Sequence, residues 1–156
     1  MIMAKIKNAL RKHYVAPWAK ETPDTEPQES AWLWLAKDIT ESAPENDEEV
    51  DESADFTGDG TPISTVTSVK RGRSFTGWRN PEDAAQNFIA DMEDKLGEGR
   101  FCWYKEVSAD GKVQKVGVAT VSEIEIGDGE ASEYESFACK ITWNSLPKKT
   151  AIVPGA

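Results

Sequence analysis

The segment from Ser74 to Arg100 constrains this chain more than any other. It runs Ser74-Phe75-Thr76-Gly77-Trp78-Arg79, continues Asn80-Pro81-Glu82-Asp83-Ala84-Ala85-Gln86-Asn87-Phe88-Ile89, and closes on Lys95-Leu96-Gly97-Glu98-Gly99-Arg100. Read locally, it predicts a strand end, a capped helix over 81–96 and the start of another strand. Asn80 suits the N-cap, and Pro81 suits the first helical position, where its missing N–H would be unpaired anyway. Glu82 and Asp83 favour the positive end of the helix dipole. Ala84, Ala85, Phe88, Ile89, Met92 and Leu96 fall on one apolar stripe, and Gly97 supplies a left-handed stop. The rest of the chain reads as β, so one amphipathic helix packs on a body of strands.

Those strands are marked by alternation. His13 to Ala16 predicts a short first strand ended by Pro17, and residues 19–29 a Pro-rich acidic loop. In Ala31-Trp32-Leu33-Trp34-Leu35 the two tryptophans share one face and the two leucines the other. Apolar groups on both faces predict burial between two layers, or between a sheet and a neighbouring subunit. Residues 41–62 read as a long acidic loop, with a strand compatible around Val50 to Phe56. A β pattern then runs from Ile63 through Val66, Val69 and Phe75 to Trp78. Beyond the helix, Phe101-Cys102-Trp103-Tyr104 opens a strand that turns at Ala109-Asp110-Gly111-Lys112. Val113 to Ile126 returns, with Val116, Val118, Ile124 and Ile126 of one parity. After Gly127-Asp128-Gly129 a last strand over 132–143 puts Phe137, Cys139, Ile141 and Trp143 on one face, and Leu146-Pro147 ends it. The expected class is mainly β (α+β), a β-sandwich or barrel with one packed helix. Residues 1–30 form a basic arm and loop, 31–147 the β domain, and 148–156 a polar tail.

Charge is placed unevenly along the 156 residues, whose net charge is −10. Residues 1–20 carry five bases and no acid, whereas 21–60 carry fourteen acids against Lys37 alone. The remainder holds fourteen acids and twelve bases, so the three parts are +5, −13 and −2. An acidic total excludes a conventional DNA-binding module, which neutralises phosphates with Lys and Arg. It leaves room for a protein that holds DNA without gripping it. Lys70-Arg71-Gly72-Arg73 is the basic exception and reads as an exposed strand face. Oppositely charged segments could pair between copies, Lys5, Lys7, Arg11 and Lys12 meeting Asp47, Glu48, Glu49, Asp51, Glu52 and Asp55.

Catalytic and metal chemistry find little footing, and no catalytic residue, metal ligand or cofactor is assigned. His13 lies beside lysines at an end expected to be mobile, a poor setting for a general base. The chain has no Gly-x-Ser-x-Gly elbow and no Walker loop. A calcium loop starting at Asp55 would have Gly60 at its sixth position but Val66 at its twelfth, where Glu is needed. Cys102 and Cys139, the only cysteines, sit in apolar strands and read as buried free thiols of a reducing cytoplasm. No apolar run approaches the ~20 residues of a membrane span. Six tryptophans, with Trp18, Trp78 and Trp143 near element ends, suit surfaces for self-association.

Several of these segments, taken in order, resemble the tail tube proteins of long-tailed bacteriophages. They are Trp32-Leu33-Trp34-Leu35-Ala36-Lys37-Asp38-Ile39-Thr40, Asn46-Asp47-Glu48-Glu49, Gly58-Asp59-Gly60-Thr61-Pro62 and Phe75-Thr76-Gly77-Trp78-Arg79. The helix entry from Pro81 to Ile89, Lys95-Leu96-Gly97-Glu98-Gly99-Arg100, an Asp-Gly hairpin and a late acidic glycine turn follow. The match covers residues 31–147. It implies a structural virion protein, not an enzyme, whose sandwich assembles into hexameric rings stacked as a tube. It further implies tape measure and tail terminator or tip proteins as partners, and DNA passing a negatively lined lumen without specific binding. Synthesis would be in the host bacterial cytoplasm. Glu123, Glu125, Glu133 and Glu135 are the candidate lumen acids. Segment 41–60 and Trp78 are the candidate contacts to the next subunit or ring. The alternatives are the tube of a contractile injection machine, a monomeric calcium- or partner-binding β-sandwich, and a small hydrolase using paired carboxylates. Growth into rings or tubes separates the first two from the others, and calcium-dependent stabilisation would mark the third.

Overall fold

Alternation along the long strands decides which side of the sheet is buried. The computed structural model describes residues 5–152. Its strands are β1 (Lys12–Pro17), β2 (Leu33–Trp34), β3 (Ile39–Pro44), β4 (Asp47–Ser53), β5 (Ile63–Lys70) and β6 (Gly72–Trp78). After helix α1 (Ala84–Ala90) come β7 (Phe101–Val107), β8 (Val113–Ile126), β9 (Ser136–Trp143) and β10 (Lys148–Ala151). Eight strands form one antiparallel sheet in the order β2-β1-β7-β8-β9-β6-β3, with β10 also on β8; β4 and β5 pair separately. In β9 every second residue from Phe137 to Trp143 is buried, as its alternation predicts.

The sheet bends around its own buried face. Val15, Phe75, Tyr104, Val121, Phe137 and Ile141 are among the side chains of this core. The rings of His13 and Phe75 stand 4.9 Å apart edge to face, and those of Phe75 and Tyr104 6.2 Å apart. These contacts bring β6 against β1 and β7, although β8 and β9 separate them within the sheet. The sandwich is thus one curled sheet rather than two. Its bend is marked in β8, where the register with β9 slips by one residue between Ser122 and Glu125. Glu123 takes the slip with φ of 51°. The bulge exchanges the faces: Ala119 and Val121 enter the core before it, and Ile124 and Ile126 pack on that core after it. Val116 and Val118 therefore belong to a different cluster from Ile124 and Ile126, despite their shared parity.

The helix closes the curl but is shorter than its sequence suggests. Asp83, not Asn80, is the N-cap, its carboxylate accepting from the Gln86 N–H at 3.0 Å. Asn80 Oδ1 instead accepts from the Glu82 N–H at 2.9 Å, which holds Pro81 and Glu82 in a turn. Ala85, Ile89 and Met92 are buried and Phe88 is half-buried, whereas Leu96 is 89% exposed beyond the helix. The guanidinium of Arg100 takes the carbonyls of Glu93 and Lys95 at 2.6 and 2.8 Å, so they are spent in a turn. Gly97, at φ of 58°, stops the segment as expected.

Five further expectations are corrected. Glu29–Ala31 is a 3-10 turn, so the tryptophan-rich strand keeps only Leu33–Trp34. The acidic loop 41–62 is mostly strand, belonging to β3 and β4. Residues 63–78 break at Arg71 into β5 and β6. Glu133 and Glu135 sit in the loop before β9 rather than on a strand face. The polar tail supplies β10, and the basic arm supplies β1; residues 1–4 of that arm lie outside the described residues.

Gly77 marks the tightest crossing. A Cβ there would stand 2.0 Å from the Asp38 carbonyl oxygen and 2.8 Å from Ile39 Cα, both backbone. The Gly77→Ala variant should lose at least about 1–3 kcal/mol through overpacking. A lower urea midpoint at unchanged slope is the expected readout.

Candidate assembly surfaces

A ribbon rises out of the sheet where β3 and β6 end. Those strands pair as far as Pro44 and Arg73, and β4 and β5 continue from Asp47–Lys70 to Ser53–Ile63. Every residue of β4 is exposed, and every residue of β5 except half-buried Val69. Pairing sorts the ribbon into two faces. Val50, Val66 and Val69 share one with Glu48 and Glu52; Asp47, Glu49 and Asp51 share the other with Lys70, Thr65 and Ile63. Val50 and Val66 are each more than half exposed, and Phe56 at the tip is fully so. Two-stranded hairpins are marginal in water without a packed face. At the tip, Asp55 Oδ1 accepts from the Thr57 N–H at 3.0 Å and Asp59 Oδ1 from the Thr61 N–H at 2.9 Å. Those hydrogen bonds, with the threonine hydroxyls, hold both carboxyls below their ordinary range.

The sheet also leaves two margins. Strand β3 is one, and the two-residue β2 is the other. Between them opens a groove of about 310 Å3, lined by Leu35, Ile39, Thr40 and Ser42 with Arg11, His13 and Arg73. The groove is floored by a charge bridge. Glu106 Oε1 accepts from Arg11 Nη1 at 2.6 Å and from Arg73 Nε at 3.1 Å. Glu106 is buried, and both guanidinium groups are largely so. Beside it, His13 Nδ1 lies 3.0 Å from the Tyr104 hydroxyl. Burial lowers the imidazole's pKa to about 4, outweighing the attraction of Glu106. His13 is therefore a neutral core group, not a residue of a mobile end.

Solved structures share this arrangement. The chain superimposes on a chain from the tail of an empty gene transfer agent particle with C6 symmetry, at TM-score 0.66 and 9% identity, over 96% of this chain and 100% of that one. The fold is that of a phage tail tube protein. The SPP1 tail tube matches at TM-score 0.63 and 16% identity, over 96% of this chain and 81% of that one. A chain of the sheath–tube complex of the PVC extracellular contractile injection system matches at 0.59 and 7%, over 97% and 95%. No protein-family model matches the chain, and no curated protein sequence does.

Within this tail tube fold the expected site residues fall in four places. Asp47, Glu48, Glu49, Asp51, Glu52 and Asp55 are together on the ribbon, with Glu48 Oε1 accepting from Arg71 Nη2 at 2.8 Å. Lys5 and Lys7 are exposed, and Lys12 stands 5.9 Å over the Trp34 ring, while Arg11 is committed to Glu106 within its own chain. Glu123 and Glu125 lie at the far end of β8 and Glu133 and Glu135 in the following loop, all exposed at one end of the sheet. Trp78 joins them there, 6.4 Å from Tyr134. Among the described residues no three His, Cys, Asp or Glu gather to hold a metal ion, and no helix is long and apolar enough to cross a membrane. Both cysteines are buried free thiols; burial pushes Cys139 up to about 12 and Cys102 higher still.

Sequence reading missed Glu106, Arg73 and Gln86. Glu106 shares parity with Cys102 and Tyr104 in β7, a pattern that could have placed it inward beside a cation. Arg73, expected on an exposed face, shares parity with Phe75 and turns in to meet it. Gln86 is wholly buried, donating to the carbonyls of Trp78 at 2.9 Å and Lys37 at 3.3 Å and accepting from the Asn80 N–H at 2.8 Å.

Two consequences are measurable. The unfolded chain takes up a proton at His13 near pH 6.5, whereas the folded chain resists until about 4. Stability should be full above about pH 6.5 and fall toward pH 4 by up to about 3 kcal/mol, and His13→Gln should flatten that window in urea titrations. Glu106→Ala strands two guanidinium groups and should lose about 3 kcal/mol, against a much smaller loss for an exposed acid such as Glu82→Ala.

Proposed function

We propose that this chain is a structural subunit that polymerises, as hexameric rings stacked end to end, into the tail tube of a phage virion. The observation that carries the reading is the ribbon: an apolar stripe of Val50, Val66 and Val69 left bare on a tail tube fold. A protein that exposes such a stripe, and an unpaired β3 margin, risks uncontrolled aggregation unless copies of itself cover them. Cyclic closure followed by head-to-tail stacking covers both in a defined way. The C6 symmetry of the gene transfer agent tail supports six copies per ring. The net charge of −10 suits a conduit for DNA, since a wall rich in Lys and Arg would hold the phosphates.

In this reading the ribbon reaches the adjacent ring, and the exposed ammonium groups of Lys5 and Lys7 meet its acids. The partners are other copies of the chain, a tape measure protein inside the growing tube, and terminator and tip proteins at its ends. The anti-feeding prophage tube cap, whose chain matches at TM-score 0.55, supports a capping partner. The likeness to the PVC sheath–tube complex carries a second reading, the inner tube of a contractile machine, which binding of a contractile sheath would decide.

Negative-stain images of purified protein across a concentration series should show rings and hollow tubes. A variant in which a short turn replaces residues 46–71 should keep a cooperative melt and form no tubes. If it assembles like the full chain, the ribbon is not the joint. Removing residues 1–7 should make tube length insensitive to salt over a range where screening shortens from about 10 Å to about 3 Å.

A further inference from the structure

The outer face of the curled sheet, opposite the core, is divided. Over β1, β7 and the first half of β8 it is covered: Trp18 and Trp32 pack on Ala16, Trp103 and Val116, and Trp18 meets Phe101 edge to face at 5.2 Å. The Lys105 ammonium caps this patch, 4.7 Å over the rings of both Tyr14 and Trp32. Over the second half of β8, β9, β6 and β3 the same face is bare. It presents Ser74, Thr76, Thr120, Ser122 and Thr142 with Ala43 and Ala138, and none of its described residues above Trp78 is aromatic.

We infer that this bare hydroxyl face is the wall of the bore, along which a nucleic acid polyanion slides. The inference rests on the tail tube reading above and names the surface within it. Three observations favour a solvent-filled bore over contact between copies. Interface centres are rich in aromatic and large apolar groups, and this face has neither. Its margin is β3, whose outer backbone is free to continue the sheet into a neighbouring copy, so the face extends around a ring instead of ending at it. Its charge suits sliding. Glu41 and Glu125 stand on it with Lys140, and a groove of about 450 Å3 beside the ribbon base adds Glu45, Asp47 and Lys70. Four acids against two lysines leave −2, which repels phosphate without a dense array of fixed charge. Of the four acids expected in the lumen, Glu125 is the one whose pairing with Ala138 puts it on this face.

The test uses thiols on assembled tubes. Because Cys102 and Cys139 are buried, Ser122→Cys or Ser74→Cys each introduces a single accessible thiol with almost no change of shape. In the unassembled subunit, a small maleimide and a maleimide carried on a bulky globular protein should both react. In long tubes the small reagent should keep its rate, while the bulky one slows by at least about tenfold, since thiol attack depends on access. Tubes labelled equally fast by the bulky reagent would place the face outside and overturn the inference. Tubes in which both reagents are blocked would bury the face between copies and overturn it equally. If wild-type protein forms no tubes at any concentration, the tail tube reading falls and this inference with it.

Discussion

A sheet of eight strands buries one face only by bending around it, and most of what distinguishes this molecule follows from that bend. Phe75 from β6 must reach His13 of β1 and Tyr104 of β7 across the hollow, so β8 cannot stay regular. The bulge at Glu123 lets one strand feed the core with odd-numbered residues along its first part and even-numbered ones after it. The two walls are also tied by charge, with Glu106 of β7 accepting from Arg73 of β6 and from Arg11 ahead of β1. At the far end Gln86 joins the helix to the backbone carbonyls of Trp78 and Lys37. The helix is thereby a plug held by polar groups as well as an apolar face.

A bent sheet that stops short of closure has margins, and these are where function enters. A monomeric domain would blunt β3 and the ribbon with its own chain; here they stay open. The covering loop with Trp18 and Trp32 protects only half of the outer face, which suits a subunit with one side toward solvent outside and another toward a channel. The acidic total, spread over ribbon and loops, keeps single copies apart until apolar contact and geometry overcome repulsion. Net charge thus serves solubility before assembly and free passage after it.

Legibility in the sequence followed locality. Strands β7 and β9 and the hairpin between β7 and β8 were readable because alternation and an Asp-Gly turn are local signals, and Gly111 has the expected positive φ of 74°. The helix was readable in kind but not in length. Its stripe predicts burial for Leu96, yet the sheet surface ends at Met92 and Arg100 captures the last carbonyls. The ribbon was hidden because acids in alternation carry no apolar signature, and its strands form through backbone pairing with exposed faces. Arg73 looked like surface because an arginine's partner, here Glu106, lies 33 residues away.

The order of elements, the single helix, the buried thiols and the resemblance to tail tube proteins were determined by the chain itself, since each rests on neighbours within a few residues. Tertiary structure alone decided that one sheet makes both walls, that the lone histidine is a neutral core group, and which half of the outer face stays bare. Those outcomes depend on which distant strands meet, and that is set by the curvature of the whole sheet rather than by any residue's own preference.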